Sequence, residues 1–224
     1  MIIALISDIH ANYFYFEKVL AEIQHDKVDK IICLGDLIGY YDKPNEVIDL
    51  CKENSIECIQ GNHEEYILGA IEYNRDKEYL YRIGKHKKIL SDENKRFLKD
   101  LPKEITINYE NLSIYCTHSL PGNCIKYLYN PNELKDEYIL EYDYYCSGHT
   151  HIPYIQYKFG TCMINPGSIG QPRDYTVMPS YALIDLVNKE VKIKKLEVDV
   201  DVYIENLKKR DIPKELIDIL KRKK

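Results

Sequence analysis

Apolar runs that each stop at a short polar block restrict the fold of this chain more than any other feature. Ile2–Ser7 runs into Asp8-Ile9-His10, Lys30–Leu34 into Gly35-Asp36, and Ile56–Gln60 into Gly61-Asn62-His63-Glu64. Leu112–Cys116 runs into Thr117-His118, and Tyr144–Ser147 into Gly148-His149-Thr150-His151. A run of apolar residues without alternation suits a strand covered on both faces. Each polar block then marks a strand end. The gaps from His10 to Gly35 and from Asp36 to Gly61 each hold 24 residues, room for one helix and one strand. Residues 13–25 carry apolar side chains at Phe16, Val19, Leu20 and Ile23, and residues 45–53 at Val47, Ile48, Leu50 and Cys51, both at helical spacing. Strand, helix, strand, helix, strand at this cadence predicts a mainly parallel sheet. The polar blocks would line one edge of it.

Residues 65–101 are polar and rich in Tyr and Lys. They predict a helical pair, with a start at Ser91-Asp92-Glu93-Asn94 and a stop at Leu101-Pro102. The pair either packs on the sheet as a solvated layer or, since it follows His63, forms a partial lid. After Pro102 come seven short apolar runs bounded by Gly, Asn or Pro: 105–109, 112–116, 144–147, 154–159, 162–164, 181–186 and 191–198. They predict a second, largely antiparallel sheet stacked on the first. A last helix is expected over 211–220, ending in the cations Lys221-Arg222-Lys223-Lys224. The fold class is thus α/β, two stacked sheets flanked by helices, in one domain over 1–224.

With 45% hydrophobic and 30% charged residues and a net charge of −5, the chain reads as globular without a dedicated nucleic-acid surface. A phosphate substrate stays compatible, because bound divalent ions supply local positive charge. The seven Cys show no CxxC spacing, so they are expected as small buried hydrophobes in a reducing cytoplasm. The leading apolar run is too short for a signal peptide, and no run approaches the ~20 residues of a membrane span. Homo-oligomer formation stays open.

Asp, Asn and His form a set of nitrogen and oxygen ligands that needs no Cys. Asp8 and His10 can turn to one ion, and Asp36 after a Gly can bridge two ions about 3.5–4 Å apart. Asn62, His118, His149 and His151 extend the set, with Gly148 expected to help bend the chain between the two His. Asp-x-His is common on surfaces, and Gly-Asp or Gly-Asn-His is ordinarily a turn. The argument for ligation is the whole ordered set, each member closing an apolar run. His25 and His86, in polar helical stretches, are expected to face solvent, and the 21 Tyr to serve packing.

Asp8-Ile-His-Ala-Asn12, Gly35-Asp-Leu-Ile-Gly-Tyr40 with Pro44-Asn45-Glu46, and Asn165-Pro-Gly-Ser-Ile-Gly-Gln-Pro-Arg173 resemble the calcineurin-like metallophosphoesterases. Within that superfamily they look most like the small prokaryotic phosphodiesterase branch, and the match runs from Ile3 to about Leu186. The resemblance implies a four-layer α/β/β/α sandwich and two divalent transition-metal ions per chain, manganese first, with iron, cobalt, nickel or zinc as alternatives. One ion would be held by Asp8, His10, Asp36 and His151, the other by Asp36, Asn62, His118 and His149. A water shared by the ions would be deprotonated near neutral pH and attack a phosphodiester. His63 would act as general acid, oriented by Asp36 or Glu64.

A nucleotide or dinucleoside polyphosphate is the alternative substrate, and a metal-free scaffold the alternative from another class. Arg173 is a candidate for binding the substrate phosphate, or else a surface Arg paired with Asp174. Ala11, Tyr41 and Ser119 stand where relatives often carry Gly, which bears on loop shape. The segment after Asp36 lacks the Arg of the protein phosphatases, which argues against phosphoprotein.

Overall fold

The computed structural model describes residues 1–222 except Leu140 and Tyr175, so the last two cations of the tail lie outside the described residues. In chain order it contains β1 (Ile2–Ile6), α1 (Tyr13–His25), β2 (Lys30–Cys33), α2 (Pro44–Glu53), β3 (Glu57–Cys58) and α3 (Asn62–Leu68). Three further short helices follow, α4 (Glu78–Tyr81), α5 (Ile83–Ile89) and α6 (Asp92–Asp100). Next come β4 (Glu104–Tyr109), β5 (Leu112–Thr117), β6 (Tyr144–Cys146), β7 (Tyr154–Lys158), β8 (Thr161–Asn165), β9 (Ser180–Asp185), β10 (Glu190–Lys195), α7 (Asp201–Lys208) and α8 (Lys214–Ile219).

Two five-stranded sheets carry the architecture, ordered β10-β9-β1-β2-β3 and β4-β5-β6-β8-β7. In the first, β1, β2 and β3 are parallel, while β9 runs antiparallel to β1 and β10 antiparallel to β9. In the second, β5, β6 and β8 are parallel and the edge strands β4 and β7 antiparallel. Two expectations are corrected here. The second sheet is mixed rather than largely antiparallel, and the runs around 181–186 and 191–198 join the first sheet. Short apolar runs carry no sign of which sheet they enter. Pairing is decided by the long connection from β8, which returns the chain to β1.

Side-chain alternation assigns the layers. From β1, Ile3 and Leu5 meet Ile114, Cys116, Cys146 and Ile164 between the sheets. Ala4 and Ile6 point the other way into a core with Phe16, Val19 and Ile23 of α1 and Val47 and Ile48 of α2. The outer face of the second sheet, with Tyr115, Tyr145 and Met163, is covered by Leu128, Leu134 and Ile139 from a segment containing two 3-10 turns. All Cys are free, and six of the seven are buried. Among the described residues no helix is long and apolar enough to cross a membrane.

The expected pair over 65–101 is four short helices, because αL backbone at Gly69 and Arg82 interrupts the run. Ser91 does start α6, its hydroxyl accepting from the Asn94 N–H at 3.1 Å. Helix α7 was not anticipated; only the fold shows its apolar face, Tyr203, Ile204 and Leu207, against the core.

His86 does not face solvent. Its side chain is buried, Nδ1 accepts from the Gly39 N–H at 3.1 Å and Nε2–H donates to the Tyr41 carbonyl at 2.7 Å. Helical context alone hid this, since α5 packs on the loop after β2. Burial pulls the imidazole down to about 4, and a proton on Nδ1 would oppose the Gly39 donor. The folded value lies below the unfolded one of about 6.5. The folded chain therefore binds fewer protons in that window, and stability complete above pH 6.5 is lost as pH falls through 4, by at most about 3 kcal/mol from this residue. An NMR titration of His86 should give a midpoint below 5. A midpoint near 6.5 would contradict the buried placement.

Candidate metal centre

All seven expected ligands sit just beyond the C-terminal ends of parallel strands, the edge where α/β sheets gather their sites. Asp8 and His10 follow β1, Asp36 follows β2, Asn62 follows β3, His118 follows β5, and His149 and His151 follow β6. The loops remain hydrogen-bonded to one another beyond the strands. Asp8 N donates to Gly35 O at 3.0 Å, His10 N to Asp36 O at 2.9 Å, and Gly148 N to His118 O at 2.9 Å. Each of the seven side chains is 5% exposed or less.

Left-handed backbone aims them. Asp8 (φ 55°), His10 (53°), Asp36 (55°), His149 (65°) and His151 (61°) all occupy the positive-φ region. Each such residue costs about 1 kcal/mol or more, and Asp and His tolerate the region better than most. The bend expected from Gly148 is made by the two His themselves. Gly148 serves close approach, since a Cβ there would lie 2.1 Å from Ser7 Oγ and 2.9 Å from Asp8 Oδ2.

Hydrogen bonding settles which imidazole nitrogen faces inward. A carbonyl only accepts, so a ring nitrogen bonded to one must carry the proton. His10 Nδ1 donates to Ile38 O at 3.1 Å, His118 Nδ1 to Leu34 O at 2.7 Å, His151 Nδ1 to Gln171 O at 2.7 Å and His149 Nε2 to Ile125 O at 3.2 Å. The opposite nitrogens of the neutral rings therefore present lone pairs. His10 Nε2 and His151 Nε2 stand 3.1 Å apart, with Asp8 Oδ1 at 3.7 and 3.3 Å from them. His118 Nε2 lies 3.2 Å from His149 Nδ1, 3.1 Å from Asn62 Oδ1 and 3.5 Å from Asp36 Oδ2. The same Asp36 Oδ2 is 3.7 Å from His10 Nε2, so it belongs to both groups. Asp8 Oδ1 is buried with no hydrogen-bond partner, while Asp8 Oδ2 accepts from Ser7 Oγ and the His149 N–H. Lone pairs facing one another at hydrogen-bond distance, with an orphaned carboxylate oxygen among them, fit cations and fit little else.

Electrostatics agree with that fit. Burial draws His10 and His151 well below the ordinary imidazole range and His149 to about 3, so these rings stand neutral, the form that ligates a metal. For His118 burial acts in the same direction, but the Asp36 carboxylate outweighs it and raises the ring to about 10. In the bare protein a proton on His118 thus offsets the Asp36 charge.

His63 lies at the edge of this set, its Nε2 4.0 Å from Asp36 Oδ2. Its backbone N–H donates to Asp36 Oδ1 at 2.9 Å, and its ring packs among His10, Tyr40 and Tyr81 at centroid distances of 4.8, 5.0 and 4.8 Å. Glu64, the other candidate to orient it, is turned elsewhere. Glu64 Oε2 accepts from the N–H groups of Asp36 and Gly61, and Oε1 from those of Leu37 and Ile38, at 2.8–3.3 Å. Glu64 is the clasp of the loop that carries Asp36. Its place at the third position of α3, which makes it a capping residue, was the available signal.

Arg173 does not pair with Asp174, whose carboxylate takes Lys195 instead. Its guanidinium turns toward the centre and bonds Gln171 Oε1 at 2.8 Å and Tyr40 Oη at 3.4 Å. Sequence reasoning also missed Tyr127, stacked on His149 at 4.1 Å, for which the sequence offers no motif. Beside His118 a groove of about 360 Å³ is lined by Gln60, Glu65, Lys103, Asn123 and Cys124.

Fold and donor set together define the class of protein. The family model of the calcineurin-like phosphoesterase superfamily domain matches residues 1–189, and the chain belongs to that superfamily. It is 31% identical to an uncharacterized protein of Methanocaldococcus jannaschii over 94% of this chain and 93% of that one. Among solved structures it is similar to a metallophosphoesterase from Sphaerobacter thermophilus, at 25% identity and TM-score 0.80 over 99% of this chain and 98% of that one. A hypothetical protein from Pyrococcus horikoshii shares the fold at TM-score 0.84 and 21% identity, over 98% and 97% of the two chains. The family is one of metal-dependent phosphoesterases, which makes the chain a hydrolase by class.

In E64Q an amide N–H₂ would meet backbone donors in place of an accepting oxygen, leaving the Asp36 loop unclasped. Metal affinity should fall by about 10–100-fold, measured by calorimetric titration of chelator-stripped protein with Mn²⁺. Affinity equal to wild type would show that the clasp is dispensable.

Proposed function

We propose that the chain hydrolyses phosphodiester bonds at a centre of two divalent ions. One ion would be held by Asp8, His10, Asp36 and His151, and the other by Asp36, Asn62, His118 and His149. The observation that carries this reading is the convergence of inward imidazole lone pairs on both sides of Asp36 Oδ2. Ions bound there would neutralise the non-bridging phosphoryl oxygens and activate a water as nucleophile. A nitrogen and oxygen donor set accepts manganese, iron, cobalt, nickel or zinc, and manganese is the first to try.

The chain's own residues would do the rest. His63 Nε2 stands 4.0 Å from Asp36 Oδ2, where it would reach an ester oxygen leaving from a phosphoryl group held at the centre. Burial lowers the His63 imidazole to about 4, with Asp36 opposing. An arriving phosphate would add negative charge beside the ring and raise its pKa back toward about 7, so that the imidazole holds the proton it is to donate. Tyr40 and Tyr81 hold the ring in place and keep water from it. The groove beside His118 offers room for an alcohol arm of the ester. A nucleotide or dinucleoside polyphosphate is the second reading, favoured by the Arg173 guanidinium turned toward the centre. Helices 65–101 border the site through Tyr66 and Tyr81, and a role as partial lid belongs to the same proposal.

Two measurements test it. Chelator-stripped protein should lose hydrolysis of bis(p-nitrophenyl) phosphate and regain it with Mn²⁺; activity indifferent to chelation would end the metal reading. His63→Ala should lower kcat by about 10²–10⁴-fold while metal content stays at the wild-type level. Undiminished kcat in that variant would remove His63 from the acid role.

A further inference from the structure

Beside the centre, the Gln171 amide and the Tyr40 hydroxyl have no acceptor for their protons among the described residues, and the Arg173 cation next to them meets no carboxylate. Arg173 meets no carboxylate among the described residues; its hydrogen bonds go to Gln171 Oε1 and Tyr40 Oη. Because Gln171 Oε1 accepts from Arg173, the amide orientation is set, and Gln171 Nε2 is left buried without a partner in a residue only 1% exposed. Tyr40, 6% exposed, accepts from Arg173, and among the described residues nothing takes its hydroxyl proton. The Tyr127 hydroxyl lies against the same guanidinium.

This group is joined to the centre. Tyr40 sits edge-on to His10 at 4.5 Å, Tyr127 stacks on His149 at 4.1 Å, and the Gln171 carbonyl holds His151. Arg173 N in turn donates to the His151 carbonyl at 3.2 Å. A partly buried guanidinium that hydrogen-bonds no carboxylate, next to a buried amide donor with no acceptor, leaves a place that an anion would complete.

We infer that Arg173, Gln171 and Tyr40 form an anion subsite that takes a phosphoryl oxygen additional to the two a plain diester offers. This rests on the metal-held phosphoryl group proposed above. A diester shares one negative charge over two non-bridging oxygens. A monoester carries a third oxygen and a second charge, and an anhydride carries them on the neighbouring phosphorus. The subsite therefore selects esters and anhydrides that bear an extra anionic phosphoryl oxygen, with guanidinium and amide supplying planar, charge-assisted donors.

The test compares wild type, R173M, Q171A and Y40F with Mn²⁺ on three substrates. They are p-nitrophenyl phosphate, ADP and bis(p-nitrophenyl) phosphate. In R173M the ratio of kcat/KM for p-nitrophenyl phosphate to that for the diester should fall by about 10–100-fold, the value of a charged hydrogen bond. A fall confined to ADP would assign the subsite to the neighbouring phosphorus. Equal falls on all three substrates would overturn the inference. Binding gives an independent readout. Millimolar inorganic phosphate should raise the Tm of wild type and not that of R173M, while Q171A and Y40F should show smaller rises than wild type. An undiminished rise in R173M would also overturn it. Wild type that turns over none of the three substrates would remove the proposed hydrolysis, and the phosphate-induced shift would still judge the subsite.

Discussion

Mutual repulsion of lone pairs around Asp36 is the constraint on which the rest of the structure depends. Four imidazole nitrogens, an amide oxygen and two carboxylates are driven together in a pocket that admits almost no water. Without cations such a cluster opposes folding: a proton on His118 offsets the Asp36 charge, but Asp8 Oδ1 and the facing lone pairs of His10 and His151 forfeit their hydration with no donor in return. With cations it becomes a source of stability, because binding energy that requires the folded arrangement counts as folding energy. The rest of the fold spends its hydrogen bonds holding the arrangement together. Backbone bonds link successive loops, carbonyls fix the His tautomers, and Glu64 clasps the Asp36 loop with four N–H groups.

Strain is part of the same device. Five of the seven candidate ligands adopt positive φ although none is Gly. Extended backbone would turn residues two apart, such as His149 and His151, to one face but along the strand direction. A left-handed residue folds the chain back so that both rings meet at a point. Small backbone separations make this workable, as at Gly148, where Ser7 and Asp8 leave no space for a side chain. Strained residues gathered at one site are the mark of function rather than of packing.

Much of this was legible in the residues. The helical spacing over 13–25 is α1 to the residue, and the three parallel strands β1, β2 and β3 lie where apolar runs stop at polar blocks. The ordered set of Asp, Asn and His brought the candidate ligands to notice. What was not legible has a common cause: an interaction between distant segments that local pattern does not encode. His86 looks solvated because its helix is polar, yet two backbone groups 45 and 47 residues away make its environment. Asp36 and Glu64 were both candidates to orient His63, and Arg173 had two readings; contacts with distant segments turned Glu64 to the Asp36 loop and Arg173 to Tyr40, with Asp174 taken by Lys195. The strands 180–185 and 190–195 read correctly as strands, but their sheet was assigned wrongly for the same reason.

By itself the sequence determined the periodicities, the strand ends and the chemistry of the donors, because those are properties of neighbours along the chain. Only the tertiary structure decided which nitrogen of each imidazole faces inward, which carboxylate oxygen is shared, and which sheet receives the last two strands. Those outcomes depend on carbonyls and side chains contributed from far along the chain. Their positions follow from the packing of two sheets, whose apolar faces are alike enough that sequence pattern does not distinguish them.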